Sequence, residues 1–153
     1  MNSFSAAIAR FNNQPINDVL HIDRFSIDFI GEDDALTFFC YKITKKYFHF
    51  NLNEVNKSVV PLHILHELIE KKKIINVSIE LHNKIGEVLT IIYLEDIILL
   101  KIKDLLKLDY SNSGILKIKV EYQYNKMKMY KDVLQFKKYQ RKQKLEKINV
   151  RKN

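Results

Sequence analysis

The stretch LKIKVEYQY, residues 116–124, alternates apolar and polar side chains at every position. Successive side chains of a β-strand point to opposite faces, so this stretch gives one apolar and one polar face. We predict a strand with one buried and one wet face, which is the usual condition in an antiparallel sheet. The predicted buried face consists of Leu116, Ile118, Val120, Tyr122 and Tyr124.

Strand-like patterns recur along the chain. HIDRFSIDFI (21–30), YFHFNLN (47–53) and IINVSIELHN (74–83) each align apolar side chains on one face. ALTFFCYKI (35–43) and EVLTIIYLED (87–96) carry apolar residues on both faces, which favours strands covered on two sides. With the stretch at 116–124, these segments predict a mainly β chain.

Two short turns connect neighbouring segments. GEDDA (31–35) predicts a hairpin between the first two strands, followed by a third strand at 47–53. HNKIGE (82–87) predicts a second hairpin, with Gly86 in a positive-φ conformation. IILLKIKDLLKL (97–108) fits a strand at its start and a helical turn at its end, so the strand total is six or seven.

The spacing of apolar residues changes from a strand period to a helical period between residues 53 and 74. Pro61 suits a first helical turn, and Ser58 is a candidate cap. From there the apolar residues have helical spacing, and three lysines suit the negative end of the helix dipole. We predict one flanking helix at about 61–73, with its apolar set and terminal lysines at Leu62, Leu65, Leu68, Ile69, Lys71, Lys72 and Lys73.

The charge is unevenly distributed. Of the chain's 26 Lys and Arg residues eleven fall in residues 126–153, against two of its 18 acidic residues. That segment carries a net charge of +9, and residues 1–125 a net charge of −1. We predict an N-terminal arm at 1–17, a β-domain at 18–125 and a basic C-terminal extension at 126–153. The fold class is mainly β (α+β): an antiparallel β-sandwich or barrel with one flanking helix.

Motifs for catalysis or cofactor binding are missing from the sequence. The three glycines are dispersed, so none forms a phosphate-binding loop. His63 and His66 are three residues apart and Glu67 follows both, which departs from the zinc-protease spacing. Cys40, the one cysteine, lies between aromatic residues and is typical of a small core residue. We predict no enzyme activity, no cofactor and no metal site.

Targeting signals are also missing. No apolar run is long enough to cross a bilayer, and the N-terminus has no signal-peptide pattern. A single cysteine cannot form an internal disulfide, so synthesis and folding in a cytoplasm are the simplest expectation.

The C-terminal segment mixes basic residues with Tyr130, Phe136 and Tyr139. Basic side chains can bind phosphates and aromatic rings can stack on bases, so the pattern fits nucleic-acid binding. It also fits a solvated extension, or a segment that becomes ordered on a neighbouring subunit. The apolar residues Val133 and Leu134 favour docking on another protein chain. The candidate contact residues are Lys137, Lys138, Arg141, Lys142 and Lys144.

Residues 76–124 resemble the C-terminal half of the tail-tube proteins of contractile-tailed bacteriophages. The similarity rests on the turn HNKIGEV (82–88), the loop LDYSNSG (108–114) and the alternating strand that ends at Tyr122 and Tyr124. The extension after Asn125 is longer than the family core, and the segment before the helix is short for the stacking loop of a tube subunit. Both departures favour a tube-like protein of the baseplate, hub or tail end.

The resemblance implies a structural virion protein of the tail, assembled in the host cytoplasm. It implies a homo-oligomeric, six-fold ring around a channel for DNA, with tube, sheath or baseplate proteins as partners. The interface residues that follow are Asp109, Tyr110, Ser111, Asn112, Lys117, Lys119, Glu121 and Gln123. The alternative function is a small β-barrel protein that binds nucleic acid through its basic C-terminal segment.

Overall fold

A computed structural model describes residues 20–52, 61–112 and 114–152. The predicted N-terminal arm and Ser58 lie outside these residues. Seven strands and three helices form within them, which confirms the mainly β fold class. The strands are β1 (Phe25–Ile30), β2 (Cys40–Ile43), β3 (Tyr47–Asn51), β4 (Ile75–His82), β5 (Val88–Lys103), β6 (Lys117–Gln123) and β7 (Lys126–Tyr130). The helices are α1 (Asp34–Phe39), α2 (Pro61–Glu70) and α3 (Val133–Lys152).

The strands form one sheet in the order β1-β4-β5-β6-β3-β2, and β7 also pairs with β5. The pairs β2–β3, β3–β6 and β5–β6 are antiparallel, as predicted. The chain divides into two compact units, which are described separately. One contains Ile27–Ser78 and Tyr93–Lys128, and the other contains residues 20–26, Ile79–Ile92 and residues 129–152.

The first predicted hairpin is wrong. Residues 34–39 form helix α1 instead of continuing a strand, and β1 pairs with β4. The Asp33 side chain starts the helix because its Oδ1 accepts a hydrogen bond from the Ala35 N–H at 2.8 Å. Leu36 and Phe39, three positions apart, are both buried. The hairpin in this region is formed by β2 and β3.

The core of the first unit is aromatic. Phe48 and Phe50 of β3 are fully buried, and the Phe48 ring stacks on Tyr122 at a centroid distance of 4.1 Å. Phe29 meets Phe48 edge-on at 5.1 Å. The predicted apolar face of β6 is confirmed at Ile118, Val120 and Tyr122. Tyr124, at the end of the predicted face, is exposed because β6 ends at Gln123.

Helix α2 ends at Glu70, three residues earlier than predicted. Lys72 has φ 49°, its N–H donates to the Ile69 carbonyl at 3.2 Å, and the Lys73 N–H donates to the Leu68 carbonyl at 3.1 Å. This is a Schellman ending, with Lys72 at the left-handed position. The three lysines therefore follow the helix, so their predicted place in its last turn is wrong.

The ambiguous segment 97–108 is resolved as strand followed by loop. Strand β5 runs for 16 residues to Lys103. Asp96 within it has φ 54°, and its N–H donates to the Asn76 side-chain oxygen at 3.0 Å. The pairing with β6 shifts register between Leu99 and Lys101. Both irregularities are typical of β-bulges.

The second unit contains the β4–β5 turn and helix α3. Gly86 has φ 86°, as predicted, and the buried Asn83 side chain accepts from the Ile85 and Glu87 N–H groups. Asp132 caps α3 by accepting from the Gln135 N–H at 2.8 Å. Phe136 is buried, and its ring centroid is 5.2 Å from that of Tyr130. The sequence interpretation did not assign strand β7 or helix α3.

Candidate functional site

The loop between β5 and β6 exposes an unusual amount of apolar surface. Leu106 is 88% exposed and Leu108 is 71% exposed, and the Tyr110 and Ile115 side chains also face solvent. Leu108 and Ile115 border a shallow cavity of about 310 Å³. Clustered exposed apolar side chains mark contact surfaces, because exposure of apolar surface to water is unfavourable and a partner removes it.

Hydrogen bonds hold the tip of this loop in one shape. The Asp109 carboxylate accepts from the Ser111 N–H at 2.9 Å and from the Ser111 hydroxyl at 2.7 Å. These bonds lower the pKa of Asp109, so the carboxylate stays charged at neutral pH. Asn112 accepts from the Gly114 N–H at 2.8 Å. The four predicted contact residues Asp109–Asn112 thus lie in a compact, preformed and exposed turn.

The polar face of β6 lies beside side chains from its two neighbouring strands. Lys119 is opposite His49 of β3 and Lys103 of β5, and Glu121 is opposite Tyr47 and Lys101. Residues opposite each other in antiparallel strands share a face. The predicted residues Lys117, Lys119 and Glu121 therefore belong to a larger surface.

Tyr47 is at the centre of this surface. The Lys103 ammonium donates to its hydroxyl at 2.8 Å, and this bond is the main reason why the pKa of Tyr47 is lowered. The ammonium groups of Lys103 and Lys119 lie 5.0 and 4.8 Å from the ring centroid. His49 has a lowered pKa because burial and then two nearby lysines disfavour its charged form. The His49 ring is therefore neutral at neutral pH.

The five predicted basic residues of the C-terminal segment all lie on α3. Lys137, Lys138, Arg141, Lys142 and Lys144 are exposed. Near the C-terminal end of the helix, the apolar side chains of Leu145 and Ile148 are exposed as well.

The remaining candidates for chemistry occupy structural positions. Cys40 is buried, which confirms its interpretation as a core residue, and desolvation raises the pKa of its thiol to about 12. A thiol with this pKa is not a nucleophile at neutral pH. Within residues 20–52, 61–112 and 114–152 no group of three or more His, Cys, Asp or Glu side chains could hold a metal ion.

The sequence interpretation missed one cluster, which surrounds His82. Ser26 Oγ is 2.7 Å from His82 Nε2, and His82 Nδ1 donates to the Gly86 carbonyl at 3.2 Å. Glu80 approaches the same nitrogen as Ser26, at 3.6 Å. A catalytic triad places its carboxylate on the other ring nitrogen, so this cluster does not have triad geometry.

The aromatic and basic partners of β6 were also missed. Tyr47 and His49 alternate with the buried Phe48 and Phe50, so the sequence does assign them to the polar face of β3. Only the strand register places that face beside the lysines of β6.

In the described part of the chain, no helix combines the length and apolar character needed to cross a membrane.

Comparison with solved structures identifies proteins that share this fold. The chain is similar to the tube-terminating cap of the anti-feeding prophage, with a TM-score of 0.55, 10% identity, and coverage of 78% of this chain and 95% of the cap. The likeness shows a shared fold and confirms, at that level, the resemblance to tail-tube proteins.

Two further solved structures are similar at lower scores. One comes from the PVC sheath–tube complex of an extracellular contractile injection system, with a TM-score of 0.49, 12% identity, and coverage of 86% of this chain and 99% of that chain. The other is an Hcp protein, with a TM-score of 0.35, 19% identity, and coverage of 69% and 71%. No protein-family model and no curated protein sequence matches the chain.

Proposed function

We propose that the chain is a non-enzymatic structural subunit of a contractile phage-type tail, where it forms or caps the end of the tube or baseplate channel. The fold shared with a tube-terminating cap supports this role. The structural positions of Cys40 and the Ser26–His82 pair are consistent with it. The partners would be other copies of the chain and the tube, sheath or baseplate proteins of a virion tail assembled in the host cytoplasm.

The exposed loop between β5 and β6 is the observation that carries the proposal. The free energy falls when a second copy covers the four apolar side chains of the loop, because their surface is removed from water. These side chains are Leu106, Leu108, Tyr110 and Ile115. The bonded turn at Asp109 reduces the entropy cost of that contact, because its hydrogen bonds already restrict Asp109 and Ser111. A loop that contacts a different surface of the next copy makes a head-to-tail interface, and such interfaces form a ring when the rotation from copy to copy closes. We propose six copies in this ring.

Helix α3 provides a second proposed contact. Its exposed Leu145 and Ile148 lie among basic residues, a combination that fits an apolar and acidic surface on a neighbouring tail subunit. DNA would pass through the channel enclosed by the ring.

The test compares substitutions in the loop with a matched substitution elsewhere. Leu106→Ser and Tyr110→Ser together remove apolar surface from the loop without touching the buried core. Ile85→Ser, at the exposed tip of the β4–β5 turn, makes the same type of change at a position with no proposed contact. We expect wild type and Ile85→Ser to form rings in electron micrographs and in sedimentation velocity, and the loop variant to stay monomeric.

A wild-type chain that remains monomeric at high concentration and forms no ring with tail partners would contradict the proposal. Rings formed equally well by the loop variant would remove the loop from the interface. Circular dichroism of all three proteins separates loss of assembly from loss of folding.

A further inference from the structure

One face of the four neighbouring strands β5, β6, β3 and β2 combines aromatic rings with lysines, and we call it the lysine–tyrosine face. Register places Lys42 of β2 opposite His49, and His49 opposite Lys119 of β6. Lys119 is in turn opposite Lys103 of β5. The face consists of Tyr41, Lys42, Tyr47, His49, Lys101, Lys103, Lys117, Lys119 and Glu121.

The two kinds of side chain occupy different halves of this face. The rings of Tyr41, Tyr47 and His49 lie on β2 and β3. The His49 ring centroid is 6.1 Å from that of Tyr41 and 6.3 Å from that of Tyr47. Four of the five lysines lie on β5 and β6. Adjacent strands are about 4.8 Å apart, so a row of rings runs directly beside two rows of cations.

The charge on the face is predominantly positive. Glu121 is 3.7 Å from Lys101 and 4.0 Å from Lys103, and Asp104 is 3.9 Å from Lys119. Two carboxylates therefore face five lysines. Such an excess of one sign attracts polyanions.

The lysines can reach a ligand without breaking the fold. Lys117 lies over the Tyr41 ring at 5.4 Å, and Lys119 lies over Tyr47 at 4.8 Å. Contacts of this kind are weak at exposed positions, and a lysine side chain can turn toward a phosphate when one is present. Tyr41, at 39% exposure, then presents its ring to a base.

We propose that the lysine–tyrosine face binds single-stranded nucleic acid. The phosphates would lie along the lysines of β5 and β6, and the bases would stack over the rings of β2 and β3. Charge for phosphates and aromatic surface for bases are the two requirements of single-strand binding. A duplex satisfies only the first, because its base faces are already stacked. The inference depends on the sheet register and not on ring assembly.

Binding is measured by fluorescence anisotropy with a labelled oligothymidylate of about 12 nucleotides, within the usual site size of such surfaces. Salt is varied to obtain the slope of log affinity against log salt concentration. The Lys117→Gln/Lys119→Gln variant removes two charges from the face. We expect its slope to fall by about 1.4, since each single-strand phosphate contact contributes about 0.7.

The second variant separates stacking from charge. Tyr41→Leu removes one ring from an exposed position and leaves every lysine in place. We expect affinity to fall roughly 5- to 150-fold, the range for loss of one stacked base, with the salt slope unchanged.

One matched control, Lys71→Gln/Lys72→Gln just after α2, carries the same change of charge as the first variant, and we expect it to bind like wild type. A further variant, Lys137→Gln/Lys138→Gln on the exposed surface of α3 (the α3 control), tests the alternative that the basic helix binds the oligonucleotide. If Lys117→Gln/Lys119→Gln fails to fold, Lys101→Gln serves instead, because the Lys101 side chain is 63% exposed.

Several results would overturn the inference. They are no binding of the oligonucleotide by wild type at low salt, an unchanged slope in the Lys117→Gln/Lys119→Gln variant, or a loss confined to the α3 control. The last result would assign binding to the basic helix. Equal competition by a duplex of the same length would also refute the single-strand assignment.

Discussion

Removing the Tyr122 hydroxyl should destabilise the protein at neutral pH by the value of one hydrogen bond. The hydroxyl donates to the Thr44 carbonyl at 2.8 Å, while the ring stacks on Phe48 at 4.1 Å. Tyr122→Phe keeps the stacked ring and removes the donor. The free energy of unfolding should fall by about 1 kcal/mol, the usual net value of such a hydrogen bond.

The same hydroxyl makes stability depend on alkaline pH. Burial raises the pKa of Tyr122 from 10.0 to about 12. A group whose pKa is higher in the folded state contributes stability that is fully present below its unfolded pKa and is lost as pH rises toward its folded pKa. The wild type should therefore lose about 1.4 kcal/mol between about pH 9 and pH 11 through this group, since one pKa unit corresponds to 1.36 kcal/mol. The Phe variant has no such loss.

The two unfolding free energies should therefore converge near pH 11. Urea unfolding, followed by circular dichroism at about pH 7, 9 and 11, measures both proteins. The reasoning is refuted if the variant is as stable as wild type at pH 7, or if the difference stays constant up to pH 11.

Three further predictions concern backbone conformation and capping. Lys72→Gly should raise the free energy of unfolding by about 0.5–1 kcal/mol in urea titrations, because glycine adopts the left-handed φ of 49° without steric cost; lower stability would contradict this reason. Gly86→Ala should lower the free energy of unfolding by about 1 kcal/mol, because alanine is strained at φ 86°. An added Cβ meets no atom within 4 Å, so backbone strain is the whole cost, and Gly86→Asn should lose less stability. Asp132→Ala should cost about 1 kcal/mol and reduce the helical circular dichroism signal of α3, whereas Asp132→Asn should retain most of both; an unchanged signal in the Ala variant would show that this cap is dispensable.

The elements that the sequence predicted well have a regular period and a local cause. Strand β6 alternates without interruption, and burial selects one face of it, so Ile118 and Val120 could be assigned to the core directly. The turn at Gly86 was predictable for a similar reason, because few residues tolerate its backbone conformation.

Helix α1 shows where the pattern was insufficient. The residues ALTFF include apolar side chains on both faces, which suggested a strand, but the Asp33 cap and the burial of Leu36 and Phe39 on one side favour a helix. The partner of β1 could not be predicted either, because β4 lies about fifty residues away and alternation does not encode pairing. For α3 a local signal was present: Asp132 and Gln135 have the spacing of a capping box.

The two candidate surfaces also differ in how far the sequence could predict them. The exposed loop at Asp109–Asn112 could be proposed from its turn residues alone, because its bonds are local. The lysine–tyrosine face could not, since Tyr47, Lys103 and Lys119 come from three strands and meet only through register.

The buried thiol of Cys40 gives the chain a practical property. It is the one cysteine in the sequence, and its protonated, enclosed sulfur should react very slowly with maleimide reagents. A cysteine introduced at an exposed position such as Tyr110 would therefore be the only site that such a reagent modifies quickly. A fluorophore attached there would report, in an otherwise native chain, the moment at which another molecule covers the loop.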